Sequence, residues 1–312
     1  MTRPVIIDCD PGVDDCIALF VALGASDRID LQSISVVAGN VPVDVCARNA
    51  LGVLALAGRE SIPVHAGCDR PLRVAPSFAE HIHGSSGLGD ARLPEARAGL
   101  QSEHAVDYLL SRLGVAEPGS ITLVITGPMT NFATALQRDP SISKAVRELI
   151  IMGGASVEGG NITPFAEFNI YADPDAASIV LRSGCRTTLI GLDATLQVRC
   201  TPPRMARLKG AEHPACLASA EMIAHVNRVY GEVYGSDGAA LHDPCTVGYL
   251  LAPDLFDVRE VAIEVDCSDG ETRGQTRIFP PGEAPDLPVI NWVHGVHDVG
   301  LFDLIMAEME RV

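Results

Sequence analysis

The sequence predicts an α/β fold, an open and mainly parallel central sheet flanked by helices, and three observations predict it. Short apolar runs alternate with helical patterns almost to the end of the 312 residues. Several of these runs are apolar throughout, as a strand covered on both faces must be. The first run, Val5-Ile6-Ile7-Asp8, turns through Pro11-Gly12 into a helix headed by Asp14 and Asp15. Open α/β sheets hold their ligands at such a strand–turn–helix junction.

The remaining elements follow in order. Leu31–Val37 alternates apolar and polar residues and ends at Ala38-Gly39-Asn40, a second strand with Asn40 at its carboxyl end. Val43–Ala57 reads as a helix stopped by Gly58, and Pro63–Ala66 as a short strand. From Arg70 to about Gly99 the periodicity is lost among Pro, His, Gly and Ser. A loop that long inside a compact domain is functional or mobile. Glu103–Leu113 is helical; Ile121–Ile125 is a buried strand running into Thr126-Gly127-Pro128, and Leu149–Met152 another that empties into Gly153-Gly154. A polar segment from Asn161 to Asn169 precedes Asp173-Pro174-Asp175, which caps a helix over Ala176–Arg182. Thr188–Leu192 is a strand, Pro202–Tyr234 is mostly helical, and His242-Asp243-Pro244 opens a further helix. Val258–Val265 and Thr272–Ile278 alternate like a hairpin, before a strand at Val289–Val293 and a closing helix from Val299. No repeat, low-complexity tract or linker interrupts the chain, so a single domain over residues 1–312 is expected.

Composition narrows the chemistry. A hydrophobic fraction of 47% supports a large core, and a formal net charge of -17 argues against nucleic acid, anionic membrane surfaces and phosphorylated substrates. Nine scattered cysteines with no C-x-x-C pair read as reduced thiols of a cytoplasmic protein. No basic region leads an apolar stretch at the amino end, and no run has the length of a membrane span.

Asp8, Asp10, Asp14 and Asp15 crowd four carboxylates around one turn. The helix dipole offsets only a fraction of that charge. A divalent cation offsets more, and oxygen ligands with no Cys or His partner in the motif suit calcium or magnesium rather than zinc. Asn40, Thr126 and the residues after Met152 stand where other strands stop. In a parallel sheet those ends share an edge with the acids. Carboxylates, amides and a hydroxyl without Arg or Lys suit a metal and a polyhydroxylated ligand.

Asp8-Cys9-Asp10-Pro11-Gly12-Val13-Asp14-Asp15 resembles the signature of the inosine-uridine nucleoside hydrolases, calcium-dependent enzymes that cleave the N-glycosidic bond of ribonucleosides. The likeness continues in order through Val37-Ala38-Gly39-Asn40, His83-Gly84, Thr126-Gly127-Pro128-Met129-Thr130-Asn131, Met152-Gly153-Gly154, Glu167-Phe168-Asn169 and His242-Asp243-Pro244. By matching position, the resemblance implies the nucleoside hydrolase fold with its Rossmann-like core. It also implies one calcium ion per subunit on Asp10, Asp15, Asp243 and the Thr126 carbonyl, with Asp10 as general base for a calcium-bound water. Asp14, Asn40 and Asn169 would hold the 2′- and 3′-hydroxyls, and Asn161 and Glu167 the 5′-hydroxyl, with Met152 beside the sugar. His242 would give a proton to the leaving base, and His83 would close over the site on its loop. Tyr230 and Tyr234, one helical turn apart, either face the base by stacking or pack along the amphipathic face of their helix. The resemblance further implies a homo-oligomer, a tetramer or dimer.

The residue types make chemical sense of this. The bond breaks through an oxocarbenium-like state, with positive charge on the sugar and negative charge on the base. Carboxylates favour the first, and an imidazole donor relieves the second. Two other readings compete. One is a calcium-dependent nucleoside or ribose binding protein without turnover. The other is a phosphotransferase of the haloacid-dehalogenase type, which needs a balancing Lys that no strand end supplies. A dinucleotide site is excluded because no G-x-G-x-x-G follows the first strand.

Overall fold

The computed structural model describes residues 2–312, apart from the side chains of Val233 and Tyr234. Among the described residues the strands are β1 (Arg3–Cys9), β2 (Ile29–Val36), β3 (Val64–Ala66), β4 (Ile121–Ile125), β5 (Val146–Met152), β6 (Thr187–Ile190), β7 (Phe256–Val265), β8 (Thr276–Phe279) and β9 (Val289–Val296). The helices are α1 (Val13–Gly24), α2 (Val43–Leu56), α3 (Glu80–His83), α4 (Ala105–Gly114), α5 (Thr130–Arg138), α6 (Phe168–Ala172), α7 (Pro174–Leu181), α8 (Leu192–Thr195), α9 (Pro202–Gly210), α10 (Pro214–Tyr234), α11 (Pro244–Leu251) and α12 (Asp298–Met309).

One sheet runs β3-β2-β1-β4-β5-β6-β9-β7-β8. Every pairing from β3 to β9 is parallel, while β7 lies antiparallel to both β9 and β8. The expected α/β class and mainly parallel sheet are therefore present. Both faces of β1 are covered: Val5, Ile7 and Cys9 join one core with α1, α2, α10 and α12, whereas Ile6 joins another with α4, α5 and α7. A strand buried on both sides has no polar face to show, which is why its sequence is continuously apolar. Helix α1 is buried at all but one of its positions because other helices pack over it.

Register places the site. Asp8 pairs with Ser35 on one side and Ile125 on the other, and Ile125 pairs in turn with Ile151, and Ile151 with Leu189. The strands thus end together, and the residues just beyond them share one edge. The chain runs from β1 outward to β2 and β3, then returns to β4 on the opposite side of β1. That reversal opens a crevice at the carboxyl ends of β1 and β4.

Three local features have physical reasons. The segment from Pro202 to Tyr234, mostly helical as expected, divides into α9 and α10 at Glu212, whose φ of 53° leaves the right-handed region. The hairpin's second strand starts only at Thr276, because 266–275 turn back through Gly274 at φ 80°. The long loop carries α3, a single turn that delivers His83. No helix among the described residues is long and apolar enough to cross a membrane.

Candidate active site at the carboxyl edge of the sheet

The turn after β1 is organised by Asp15. It sits at the third position of α1 and accepts from the backbone of Gly12 at 3.1 Å and of Asp10 at 3.3 Å. Two side chains from other strand ends complete its shell, Asn40 Nδ2 at 3.0 Å and Thr126 Oγ1 at 2.8 Å. Asp10 receives the Asn40 backbone N–H on Oδ2 at 2.7 Å. Its Oδ1 is buried with no partner. Glycine is required around it: a Cβ on Gly39 or Gly127 would run into the Asp10 carboxylate.

Asp243, at the start of α11, is 3% exposed and uses no side-chain oxygen to cap its helix. Asp14, Asp15 and Asp243 each offer an oxygen, and these lie within 4.8 Å of one another. Asp10 lies beside this group, with its backbone N–H on Asp15 Oδ1. Burial pushes the carboxyls of Asp10 and Asp243 well above the usual range, and neighbouring acids, Asp15 for the first and Asp14 for the second, push them further. Asp15 is raised as well, by burial and then by Asp14. Several dehydrated carboxylates cannot share one pocket unless they take up protons or a cation. No Lys or Arg lines the cavity to supply positive charge. An all-oxygen donor set with an unpartnered buried oxygen beside it fits a hard divalent cation.

The cavity is lined by Val13, Asp14, Asn40, His83, Thr126, Met152, Asn161, Glu167, Asn169, Tyr230, His242 and Asp243, among others. Every expected site residue with a described side chain therefore faces this space or, like Asp10 and Asp15, lies directly against it. The side chain of Tyr234 falls outside the described residues. His83 accepts from Val13 N–H on Nδ1 at 3.1 Å, and burial pulls its pKa down. Glu167 caps α6, accepting from Asn169 and Ile170 and from Gly154 at 3.0 Å. Burial pushes its carboxyl up to about 7 against the pull of those donors. Asn161 Oδ1 accepts from Phe168 N–H at 2.9 Å. Asn169 Nδ2 donates to the carbonyls of Thr126 at 2.6 Å and Met152 at 3.2 Å, so the Thr126 carbonyl already has one partner and one lone pair to spare.

His242 is 9% exposed, with Nδ1 at 2.7 Å from Thr195 Oγ1 and Nε2 at 3.4 Å from Tyr230 Oη. Burial lowers its pKa while Asp14 raises it. Two residues of this neighbourhood carried no signal as site residues. Thr195 lies on α8, a single turn without periodicity. Asn131 reads as a helix or turn hydrogen-bonder, and in the first turn of α5 it is one: Nδ2 donates to Asp8 Oδ1 at 2.8 Å and to the Val36 carbonyl at 3.1 Å. Asp8 is thereby held behind the site, its carboxyl raised by burial to about 7.

Comparison with known proteins agrees with this geometry. The sequence pattern of the family "inosine-uridine preferring nucleoside hydrolase" matches residues 5–302. The chain is 35% identical over 311 residues to the pyrimidine-specific ribonucleoside hydrolase RihA of Shewanella woodyi, covering 99% of each. It is 39% identical over 274 residues to RihB of Escherichia coli, also described as pyrimidine-specific, covering 88% of this chain and 86% of that one. Among solved structures, a plant nucleoside hydrolase superposes with a TM-score of 0.93 at 31% identity, over 99% of both chains. A purine-preferring ribonucleoside hydrolase from Gardnerella vaginalis superposes at 0.90 and 31%, covering 99% and 98%. With the family's pattern spanning almost its whole length and the family's fold around an acidic crevice, the chain belongs to the inosine-uridine preferring nucleoside hydrolases, enzymes that split ribonucleosides into base and sugar.

Proposed function

We propose that the protein hydrolyses the N-glycosidic bond of ribonucleosides at a calcium ion held by Asp10, Asp15, Asp243 and the Thr126 carbonyl, with Asp10 as general base. The observation that carries this reading is the unpartnered, buried Oδ1 of Asp10 beside the Asp14–Asp15–Asp243 cluster. When bound, the ion supplies the positive charge that gathers the sugar hydroxyls and an attacking water against these acids.

The protein's own groups account for the rest. Asp14, Asn40 and Asn169 hold the 2′- and 3′-hydroxyls, and Asn161 and Glu167 the 5′-hydroxyl, fixing the ribose near its reacting geometry. Met152 packs beside the sugar, and His83 closes the crevice from the long loop. Carboxylates around the ring favour the positive charge that develops on it. Asp10 accepts a proton from water at Oδ1 as hydroxide character adds to C1′. The bond to the base breaks, its electron pair stays with the base, and His242 presents Nε2–H to the atom that takes up the charge. The proton taken by Asp10 reaches the base by way of solvent, so one water is consumed for each nucleoside. Tyr230 flanks the base and tunes which bases are accepted.

The same reading makes the chain one domain, cytoplasmic, acting on small nucleosides rather than on nucleic acid or membranes, and assembled as a dimer or tetramer. In support, all nine cysteines are free thiols, and none is exposed. Incubation with inosine, uridine and cytidine in phosphate-free buffer should release reducing sugar, and a chelator should stop it. Intact nucleoside after prolonged incubation with calcium would leave only a binding protein.

A further inference from the structure

We propose that Thr195 is a positioning residue for the reaction. Its hydroxyl donates to Nδ1 of His242 and so fixes the imidazole as the tautomer that carries its proton on Nε2, facing the base. The inference rests on the hydrolase reading above, and its test separates the two.

The observations are local. Thr195 closes α8, beyond the end of β6, and its side chain is fully buried. Its Oγ1 lies 2.7 Å from Nδ1, a short contact for a neutral pair. Backbone bonds hold the two residues at this separation. Leu241 N–H donates to the Val198 carbonyl at 2.8 Å and Cys200 N–H to the Ala239 carbonyl at 2.8 Å, running the segment after Thr195 alongside the one before His242. Arg199 and Ala240 form an antiparallel bridge between them. With Nδ1 engaged by Thr195, the ring's other nitrogen is the one beside Tyr230 Oη and the cavity.

Chemistry decides the direction of the hydrogen bond. A neutral imidazole has one donor and one acceptor nitrogen. Were Nδ1–H to donate to Thr195, Nε2 would turn a lone pair toward a base that is gaining negative charge. With the hydroxyl donating, Nε2–H is available to that charge. The base leaves with the electron pair of the broken bond, and Nε2 lends a hydrogen bond without losing its proton, so no further reactant is needed.

The experiment compares wild type, Thr195→Val and Thr195→Ser, all loaded with calcium, on two substrates. Uridine has a poor leaving group that needs the donor; p-nitrophenyl β-ribofuranoside has a good one that does not. Thr195→Val should lower kcat on uridine by about 30-fold with little change in KM, in the range found for loss of a group that orients a reacting side chain. Its loss on the nitrophenyl riboside should be at least about tenfold smaller, and Thr195→Ser should recover most of the uridine rate. Nitrogen-15 NMR on histidine-labelled enzyme, with His242 assigned through His242→Gln, gives a readout without turnover. Wild type should show Nε2–H, and Thr195→Val a mixture of tautomers. Equal losses on both substrates, full uridine activity in Thr195→Val, or an Nδ1–H tautomer in wild type would each overturn the proposal, and the last needs no folded variant. A wild type that splits neither substrate would instead refute the hydrolase reading.

Discussion

Asn40 grips Asp10 at two points: its backbone N–H donates to Oδ2 at 2.7 Å, and its side-chain amide donates to the Asp10 carbonyl at 3.1 Å. The same amide also reaches Asp15 Oδ2 at 3.0 Å, so one residue from the end of β2 sets the spacing of two acids on the β1–α1 turn. Replacing Asn40 with Ala should therefore disturb both carboxylates and lower kcat for uridine by about 10²-fold, as misplaced reacting groups do. Asp10→Asn, which keeps the shape but removes the proton acceptor, should lower kcat by about 10³-fold. Steady-state release of reducing sugar checks both, and a wild-type rate in Asp10→Asn would dismiss Asp10 as the base.

Removing the cation should destabilise the fold as well as stop turnover. Asp10, Asp15 and Asp243 are all raised by burial and by neighbouring acids, so a cluster stripped of its cation must repel or take up protons. At calcium 100-fold above its dissociation constant the stabilisation should be about 2.7 kcal/mol. Calorimetry with excess chelator, then with calcium restored, should show the melting temperature fall and recover. Indifference of the melting curve to both additions would remove the cation from the structure.

Glu167 gives a pH dependence whose sign is fixed. Its carboxyl rises from 4.5 to about 7 in the folded chain, burial being the main cause. The folded state then holds this proton more tightly than the unfolded one. The contribution is full below about pH 4.5 and is lost as pH rises through about 7, amounting to about 3 kcal/mol. Urea unfolding of the chelated protein at pH 5 and pH 7.5 should show the loss. Glu167→Gln should be less stable throughout, since an amide cannot satisfy all three backbone donors, yet its stability should vary less with pH. Identical slopes for the two proteins would contradict this.

Gly39 should tolerate no side chain. A Cβ there would strike Asp10 Oδ2 and Pro128, while one on Gly99 would meet open space. Gly39→Ala should therefore cost about 1–3 kcal/mol of stability and most of the activity, and Gly99→Ala neither. Parallel melting and rate measurements on the two variants distinguish a local clash from a general effect of alanine.

Much of this was legible in the sequence because strand ends and chemistry coincide. Asp10, Asn40, Thr126 and Met152 each follow an apolar run, and a parallel sheet brings such positions to one edge without further information. The helix α5 was not read, because Thr130–Arg138 is only nine residues long and follows its strand through a turn of four. Helices α6, capped by Glu167, and α8, without a side-chain cap, are short turns below the length at which periodicity exists. The family resemblance placed Asp10 with Asp15 and Asp243, and the backbone turn brings Asp14 within 4.8 Å of the last two as well. Thr195 became visible only once the chain before His242 paired with the segment after α8.

The crevice takes its acids from segments far apart in the chain, Asp10 to Asp15 from the first turn and Asp243 from beyond β6 and α10. A cation clasped by them would act as a removable staple across most of the polypeptide, joining segments that peptide bonds leave remote. Nicking the long loop would leave the two pieces joined by the β1–β4 pairing and the core that α1 shares with α10 and α12. The cation would add one more clasp between them, at the crevice.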